Sequence, residues 1–334
     1  MRTTAILPIF SMAIIMFATS ACDKEQVPAG RTGRPLTIGA TVAAPQTKTA
    51  YEYDADGGTL AVSWNADETI SVISFNETGV TAIDEFTSSG EAGRAKAEFS
   101  GTWTGNPGDQ VICLYPALST TPGSRLFGTV AVGDTSIPLN SLTSSLGTLV
   151  KGTPSSLANA DVMVGDVVIS ESTATVTLAR QICVFKLTVT CATTAWYDDY
   201  YERVSTVKIS VDNGGTPAVV ATAGALAVTE DTYTGSFAAT AYGTIKYTLN
   251  DFYSSDLNTS GGPKTQVFYA PIFSDGDLEE GYTLRFHYGG RSKEGWGASW
   301  ESVETFGGGC VQNKTVTEKR TLERGKIYGF TMTI

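Results

Sequence analysis

The stretch "PLTIGATVA", residues 35–43, decides how the rest of the chain is read. Leu36, Ile38, Ala40 and Val42 fall on one face, and Thr37, Gly39 and Thr41 on the other. A period of two marks a strand with one buried face. The same alternation recurs along the chain. In "TLAVSWNADETISVISF" Leu60, Val62 and Trp64 alternate, "NADE" turns, and Ile70 and Val72 resume. "KAEFSGTW" and "QVICLYP" follow as further strands. "DVVISESTATVTLARQICVFKLTVTC", residues 166–191, carries two runs: Ala174, Val176 and Leu178, then Cys183, Phe185, Leu187, Val189 and Cys191. "TVKISV", "TIKYTL" and "GYTLRFHYGG" repeat the pattern, and the closing "KIYGFTMTI" sets Tyr328, Phe330, Met332 and Ile334 on one face. "TPGSRLFG" and "SLTSSLGTLVKGTPSSLAN" read as long connections, and no segment reads as a helix beyond a turn or two.

Composition points the same way. The chain has 35 glycines in 334 residues, and β-branched and turn-forming types dominate. Such a chain is all-β, with strands separated by Gly/Asn/Asp/Pro turns, as in β-sandwiches. Its length suffices for two domains, each with its own core. They are expected over residues 36–165 and 166–334. The formal net charge of −11 at pH 7 makes the chain a poor ligand for nucleic acid.

The first residues have a different character. Arg2 is followed by "AILPIFSMAIIMFA", residues 5–18, an apolar run shorter than the roughly 20 residues of a membrane span and suited to an export signal. Thr19, Ser20 and Ala21 are small, and Cys22 comes next. Residues 1–21 therefore look like a bacterial lipoprotein signal, after which the Cys22 thiol takes a lipid and becomes the new N-terminus. Thr19 stands where such signals most often carry Leu, so ordinary cleavage after Ala21 stays open. Residues 22–35 are polar and Gly/Pro-containing, a tether rather than a core segment. No later segment approaches 18 apolar residues, so attachment to a membrane would rest on the lipid at Cys22.

Catalytic chemistry finds little footing. The single histidine, His287, shares a strand face with Thr283 and Arg285, opposite the apolar set. A Ser-His-Asp triad would rest on it alone. There is no G-x-S-x-G elbow and no P-loop. "DADGG" (54–58) and "SDGDLEEG" (274–281) read as turns rather than calcium loops. Cys113, Cys183, Cys191 and Cys310 fit no metal spacing. Cys183 and Cys191 on one strand would stand about 26 Å apart, too far to pair. They read as buried small hydrophobes, with a Cys191–Cys310 disulfide left open. No catalytic residue, metal or cofactor is expected, and the chain reads as a non-enzyme. Two aromatic clusters stand out, Trp196 with Tyr200, and Trp296 with Trp300. They would serve either as core packing or as exposed platforms for sugars or proteins.

Several of these pieces, in order, resemble the fimbrillin family, the lipoprotein pilins of type V fimbriae. They are the leader ending at Cys22, the first strand, the loop "TKTAY", the segment "LAVSWNADETISVIS", the mid-chain "ADVMVGDVVISESTATVTLARQICVFKLTVT" and the closing "LERGKIYGF". The resemblance implies two tandem transthyretin-like antiparallel β-sandwich domains. It also implies export as an outer-membrane lipoprotein to the cell surface, proteolytic removal of the first strand, and donor-strand exchange with other pilin subunits to build an adhesive fimbrium. Lys48 matches the family's cleavage position, with Thr49 as the new N-terminus. Many members carry Arg there, which puts an Arg-specific protease in doubt. Leu36, Ile38, Ala40 and Val42 would then be the plug strand. Burying them is worth about 4–10 kcal/mol. Tyr328, Phe330, Met332 and Ile334 match the family's donor strand, or else complete the chain's own second sandwich. The rival reading is a surface lipoprotein that binds host or bacterial glycans through its aromatic clusters and never polymerises.

Mass spectrometry of the N-terminus of the cell-surface form separates these readings. An N-terminus at Thr49 is expected for the processed pilin and a lipidated Cys22 for a lipoprotein that is never cut, and an unmodified N-terminus at Cys22 would show a secreted protein without lipid.

Overall fold

The computed structural model describes residues 33–43, 64–89, 96–120, 123–142, 157, 159–190, 200–248, 265–274, 276–294, 301–303 and 311–333. The chain divides into two compact units, Met1–Thr32 and Gly33–Ile334, and all described residues belong to the second.

Its elements in chain order are β1 (Arg34–Val42), β2 (Thr69–Asn76), β3 (Gly79–Ser88), β4 (Lys96–Trp103), β5 (Gln110–Tyr115), the single helical turn α1 (Gly123–Leu126), β6 (Ser136–Leu139), β7 (Met163–Ser170) and β8 (Thr173–Arg180). Then come β9 (Cys183–Thr190), β10 (Tyr200–Asn213), β11 (Thr216–Pro217), β12 (Ala221–Ala227), β13 (Ala238–Tyr242), β14 (Ile245–Thr248), β15 (Thr265–Ile272) and β16 (Asp277–Leu278). The last are β17 (Thr283–Glu294), β18 (Glu301–Val303), β19 (Val311–Thr315), β20 (Arg320–Thr321) and β21 (Ile327–Thr333). The protein is all-β, as its alternating pattern requires.

Seven strands close into a barrel in the order β1-β4-β3-β2-β5-β7-β8. Every described neighbour pair in it is antiparallel except the last, where β1 runs parallel to β8 and closes the ring. The interior is filled by Trp64, Ile70, Phe86, Phe99, Trp103 and Met163, together with the inward residues of β1 and β8. The expected division between residues 165 and 166 falls inside β7, which pairs with β5 on one side and β8 on the other. The strands of "DVVISESTATVTLAR" thus complete the first sheet, and the change of sheet comes after Arg180.

Two barrel strands, β2 and β5, and the start of β7 are buried on both faces. Ile70 and Val72 of β2, Val111 and Cys113 of β5, and Met163 of β7 point into the barrel. Ile73 and Phe75, Ile112 and Leu114, and Val164 point into a second core. This double burial explains the near-continuous apolar runs "ISVISF" and "VICLY". The buried hydroxyls in β2 are satisfied: Ser74 accepts a hydrogen bond from Trp103 Nε1 at 3.0 Å, and Ser71 accepts one from the Leu118 amide at 2.9 Å. The second core extends through α1, β6 and β12 into two facing sheets. One has the order β15-β9-β21; the other is built on β10 and β17. Phe286 of β17 lies 5.3 Å from Phe330 of β21, ring centre to ring centre, across the gap between them. This half is a β-sandwich.

A buried polar joint links barrel to sandwich. Arg180 Nε donates to both carboxylate oxygens of Asp161 at 3.1 and 3.0 Å, with both side chains almost fully buried. Gln181, 2% exposed, donates its amide to Val162 O and accepts from the Phe237 amide and from Arg324 Nη1. Truncating one partner of a buried pair strands the other charge, at a cost of about 3–5 kcal/mol. Asp161→Ala should lower unfolding free energy by that amount in urea titrations, whereas a change below about 1 kcal/mol would show that the pair does not fix this joint.

Candidate functional site

The site assembled by the fold is the slot that β1 occupies. On one side β1 pairs antiparallel with β4, from Arg34 opposite Trp103 to Thr41 opposite Lys96. On the other it lies parallel to β8, from Thr37 beside Thr173 to Val42 beside Leu178. Its ends are fixed by the Thr37 amide to Ser172 O (3.2 Å) and the Ala43 amide to Leu178 O (2.7 Å). Thr41 Oγ1 adds a bond to Val176 O at 3.3 Å. The Arg34 guanidinium lies 4.7 Å from the centre of the Trp103 ring, at the entrance. That is within cation–π range.

The alternation read from the sequence is the burial pattern found. Leu36, Ile38 and Ala40 are 2%, 0% and 0% exposed, while Thr37, Gly39 and Thr41 are half-buried on the outer face. Val42 is half-buried and packs at the edge of the barrel core. Along the slot, Ile38 sits between Phe99 and Ala174, and Ala40 between Ala97 and Val176. Removing β1 would open the barrel into a six-stranded sheet with two facing edges, β4 and β8, each with a row of unpaired N–H and C=O groups above an apolar trough. Such an edge templates the pairing of another strand.

Trp64 backs this trough. Its ring meets Phe99 at 5.1 Å and Tyr115 at 5.4 Å, both edge-on. Glu68 Oε1 accepts from Asn65 Nδ2 at 2.9 Å and from the Tyr115 hydroxyl at 3.3 Å. Burial raises the Glu68 carboxyl above its ordinary range, against the lowering effect of those bonds. Trp64 Nε1 and Glu68 Oε2 are both buried without a hydrogen-bond partner among the described residues. The sequence signalled the tryptophan through its alternation, but the acidic turn read only as a turn.

The other expected site residues are scattered. Cys22, Lys48, Thr49, Trp196, Trp296, Trp300 and Ile334 lie outside the described residues, as do Cys191, Cys310 and "DADGG". Tyr200 begins β10, with only its backbone described. Cys113 and Cys183 are free and fully buried, and burial pushes the Cys183 thiol up to about 12. A thiol at that value is not nucleophilic at neutral pH. At β16, where a turn was expected, Lys319 Nζ stands 2.6 Å from Asp277 and 2.7 Å from Glu279, so a lysine already pairs with both carboxylates. His287 is half-buried in β17.

Tyr328, Phe330 and Met332 lie in β21, which runs parallel to β9. Phe330 packs tilted against Phe185 at 4.8 Å, and the Tyr288 hydroxyl meets Met332 Sδ at 2.6 Å. Beside β21 opens a cleft of about 410 Å³, lined in part by Leu284, Leu322, Tyr328 and Phe330. Lys314 Nζ also lines it and donates to Thr331 O at 3.0 Å. The alternation of β21 gave no sign of this cleft, because its far wall comes from β16, β17, β19 and β20.

No family model and no curated protein sequence matches the chain. Solved structures similar to it include proteins described as putative cell adhesion proteins or fimbrial proteins, from Bacteroides, Parabacteroides and Porphyromonas. A "putative cell adhesion protein" from Bacteroides uniformis is 13% identical, with a TM-score of 0.40 over 90% of this chain and 92% of that one. The fimbrial anchor protein Mfa2 from Porphyromonas gingivalis is 8% identical, with a TM-score of 0.36 over 82% and 83%. A fimbrial protein from Bacteroides ovatus is 12% identical, with a TM-score of 0.29 over 91% of this chain and 51% of its own. At these values the likeness decides nothing about the site.

Ile38→Ala should destabilise the protein by about 2–5 kcal/mol in denaturant titrations, since it hollows a sealed part of the barrel. Thr37→Ala, one residue away on the outer face, should stay within about 0.5 kcal/mol. Equal effects would show that β1 is not seated in the core as described.

Proposed function

We propose that this chain is a structural subunit of a surface fimbria, exported as an outer-membrane lipoprotein and assembled by strand exchange at the β1 slot. One observation carries the reading: the strand that closes the barrel is the first strand of its unit. An internal strand is tethered at both ends and cannot leave without unthreading the sheet. β1 needs only one cut, in the segment that follows Ala43, to become a separate peptide held by non-covalent contacts alone. Lys48 lies in that segment.

The lipid on Cys22 and the plug strand would depart together, releasing the subunit from the membrane as its slot opens. The vacated trough then takes a strand from another subunit, whose backbone satisfies the β4 and β8 edges in place of β1. The tandem transthyretin-like arrangement implied by the resemblance belongs to this proposal, with the barrel as a sandwich closed by its removable strand. The chain's contribution is mechanical, adhesion through an assembled polymer, and it has no catalytic role.

Limited digestion of the precursor on the surface of its own cells, where other subunits are present, with a Lys-specific protease tests this directly. The expected products are a new N-terminus at Thr49 and oligomers that resist detergent. A cut chain that remains monomeric, or one that unfolds without oligomerising, would overturn the assembly reading.

A further inference from the structure

Resting on the strand-exchange reading, we infer that the β1 slot selects against this chain's own C-terminal strand. The donor it takes comes from a different chain, whose inward face reads aliphatic, aliphatic, small, aliphatic. The slot's shape is recorded by its present occupant. Leu36 and Ile38 fill the first two inward positions, Ala40 the third and Val42 the fourth. The third position is narrow. Ala40 is 0% exposed, flanked by Ala97 at 6% and Val176 at 4%, and belongs to the same sealed core as Trp64, Phe86, Phe99 and Trp103. Extra atoms in a packed core force neighbours out of their rotamers, so a large side chain is rejected there.

The inward face of β21 is large throughout. Laid parallel to β8 in the sense of β1, Tyr328, Phe330, Met332 and Ile334 would take the four positions, and a methionine would meet the narrow one. Laid in the opposite sense, Phe330 would meet it. Turning the strand over puts Ile327, Gly329 and Thr331 inward and satisfies the narrow position with glycine. That choice turns Tyr328, Phe330 and Met332 out to where Thr37, Gly39 and Thr41 now stand. Each of these arrangements either overfills the barrel or turns large apolar side chains onto the half-exposed outer face. β21 is also engaged at home: Met332 is 3% exposed, and Phe330 packs on Phe185 and Phe286. Releasing it would uncover the sandwich core.

Two measurements test this. In the intact chain, Ala40→Met should lower Tm by roughly 3–8 °C, while Val42→Ile at the half-buried position should leave it within about 1 °C. In the cleaved protein, a labelled peptide of residues 34–43 should rebind. The same peptide carrying Ala40→Met, and a peptide of residues 326–334, should bind at least about tenfold more weakly, roughly 1.4 kcal/mol. An unchanged Tm for Ala40→Met, or a 326–334 peptide that binds as well as 34–43, overturns the selectivity. Failure of the 34–43 peptide itself to rebind overturns the strand-exchange reading beneath it.

Discussion

The constraint that governs this molecule is the closure of a sheet whose two end strands cannot be left open. β4 and β8 each have one side paired within the sheet, and on the other side a ladder of backbone donors and acceptors faces β1. Burying those groups unpaired would cost far more than any single side-chain contact gains. The barrel therefore requires a seventh strand, but the requirement is one of backbone pairing plus a side-chain profile. Any extended segment that supplies both can meet it. On the strand-exchange proposal, identity at the slot would be set by packing volume, and affinity shared between packing and the two ladders.

The joint between β8 and β9 extends this constraint across the molecule. β1 runs parallel to β8, and β21 runs parallel to β9. β8 passes into β9 through Gln181 and Ile182 alone, with the Ile182 carbonyl taken by the Gly325 amide and the Val184 amide bonded to Lys326 O. The first and last strands of the described unit thus lie on consecutive stretches of one continuous ribbon, both in its chain sense. Asp161, Arg180, Gln181 and Arg324 are placed where they hold this ribbon at the point where it leaves the barrel for the sandwich. A change in the β1 slot acts on β8 directly, and along the ribbon it reaches β9 through this joint.

Much of the strand content was legible because half-buried strands announce themselves. β1, β4, β8 and β21 alternate cleanly, and their inward residues are those the period of two selects. The strands that went unread were hidden for specific reasons. In β3 the buried face includes Asp84, whose carboxylate takes the Thr104 amide at 2.8 Å and its hydroxyl at 2.7 Å, so a core position reads as polar. β12, "ATAGALA", lacks bulk because the sheet is tight: a Cβ on Gly224 would come within 2.8 Å of Ala238 O. In β15, Phe268, Tyr269, Ala270 and Ile272 are all buried, which erases the alternation. The parallel closure of β1 on β8 was not legible at all. Pairing between residues about 136 positions apart depends on the whole barrel, and nothing in either strand encodes its partner.

That illegibility bears on how the site works. A strand whose sequence named its neighbours would be hard to replace, whereas β1 presents its neighbours with little more than a run of peptide groups and a four-position volume profile. Of those positions, Leu36 and Ile38 carry most of the apolar area, and Ala40 contributes mainly by being small. Enlarging position 40 would strain the barrel with β1 in place, and enlarging the same position of an incoming strand would keep it out. On the strand-exchange proposal, retention of the plug and choice of its successor would therefore be governed by the same space between Ala97 and Val176, and a substitution there would not alter one without altering the other.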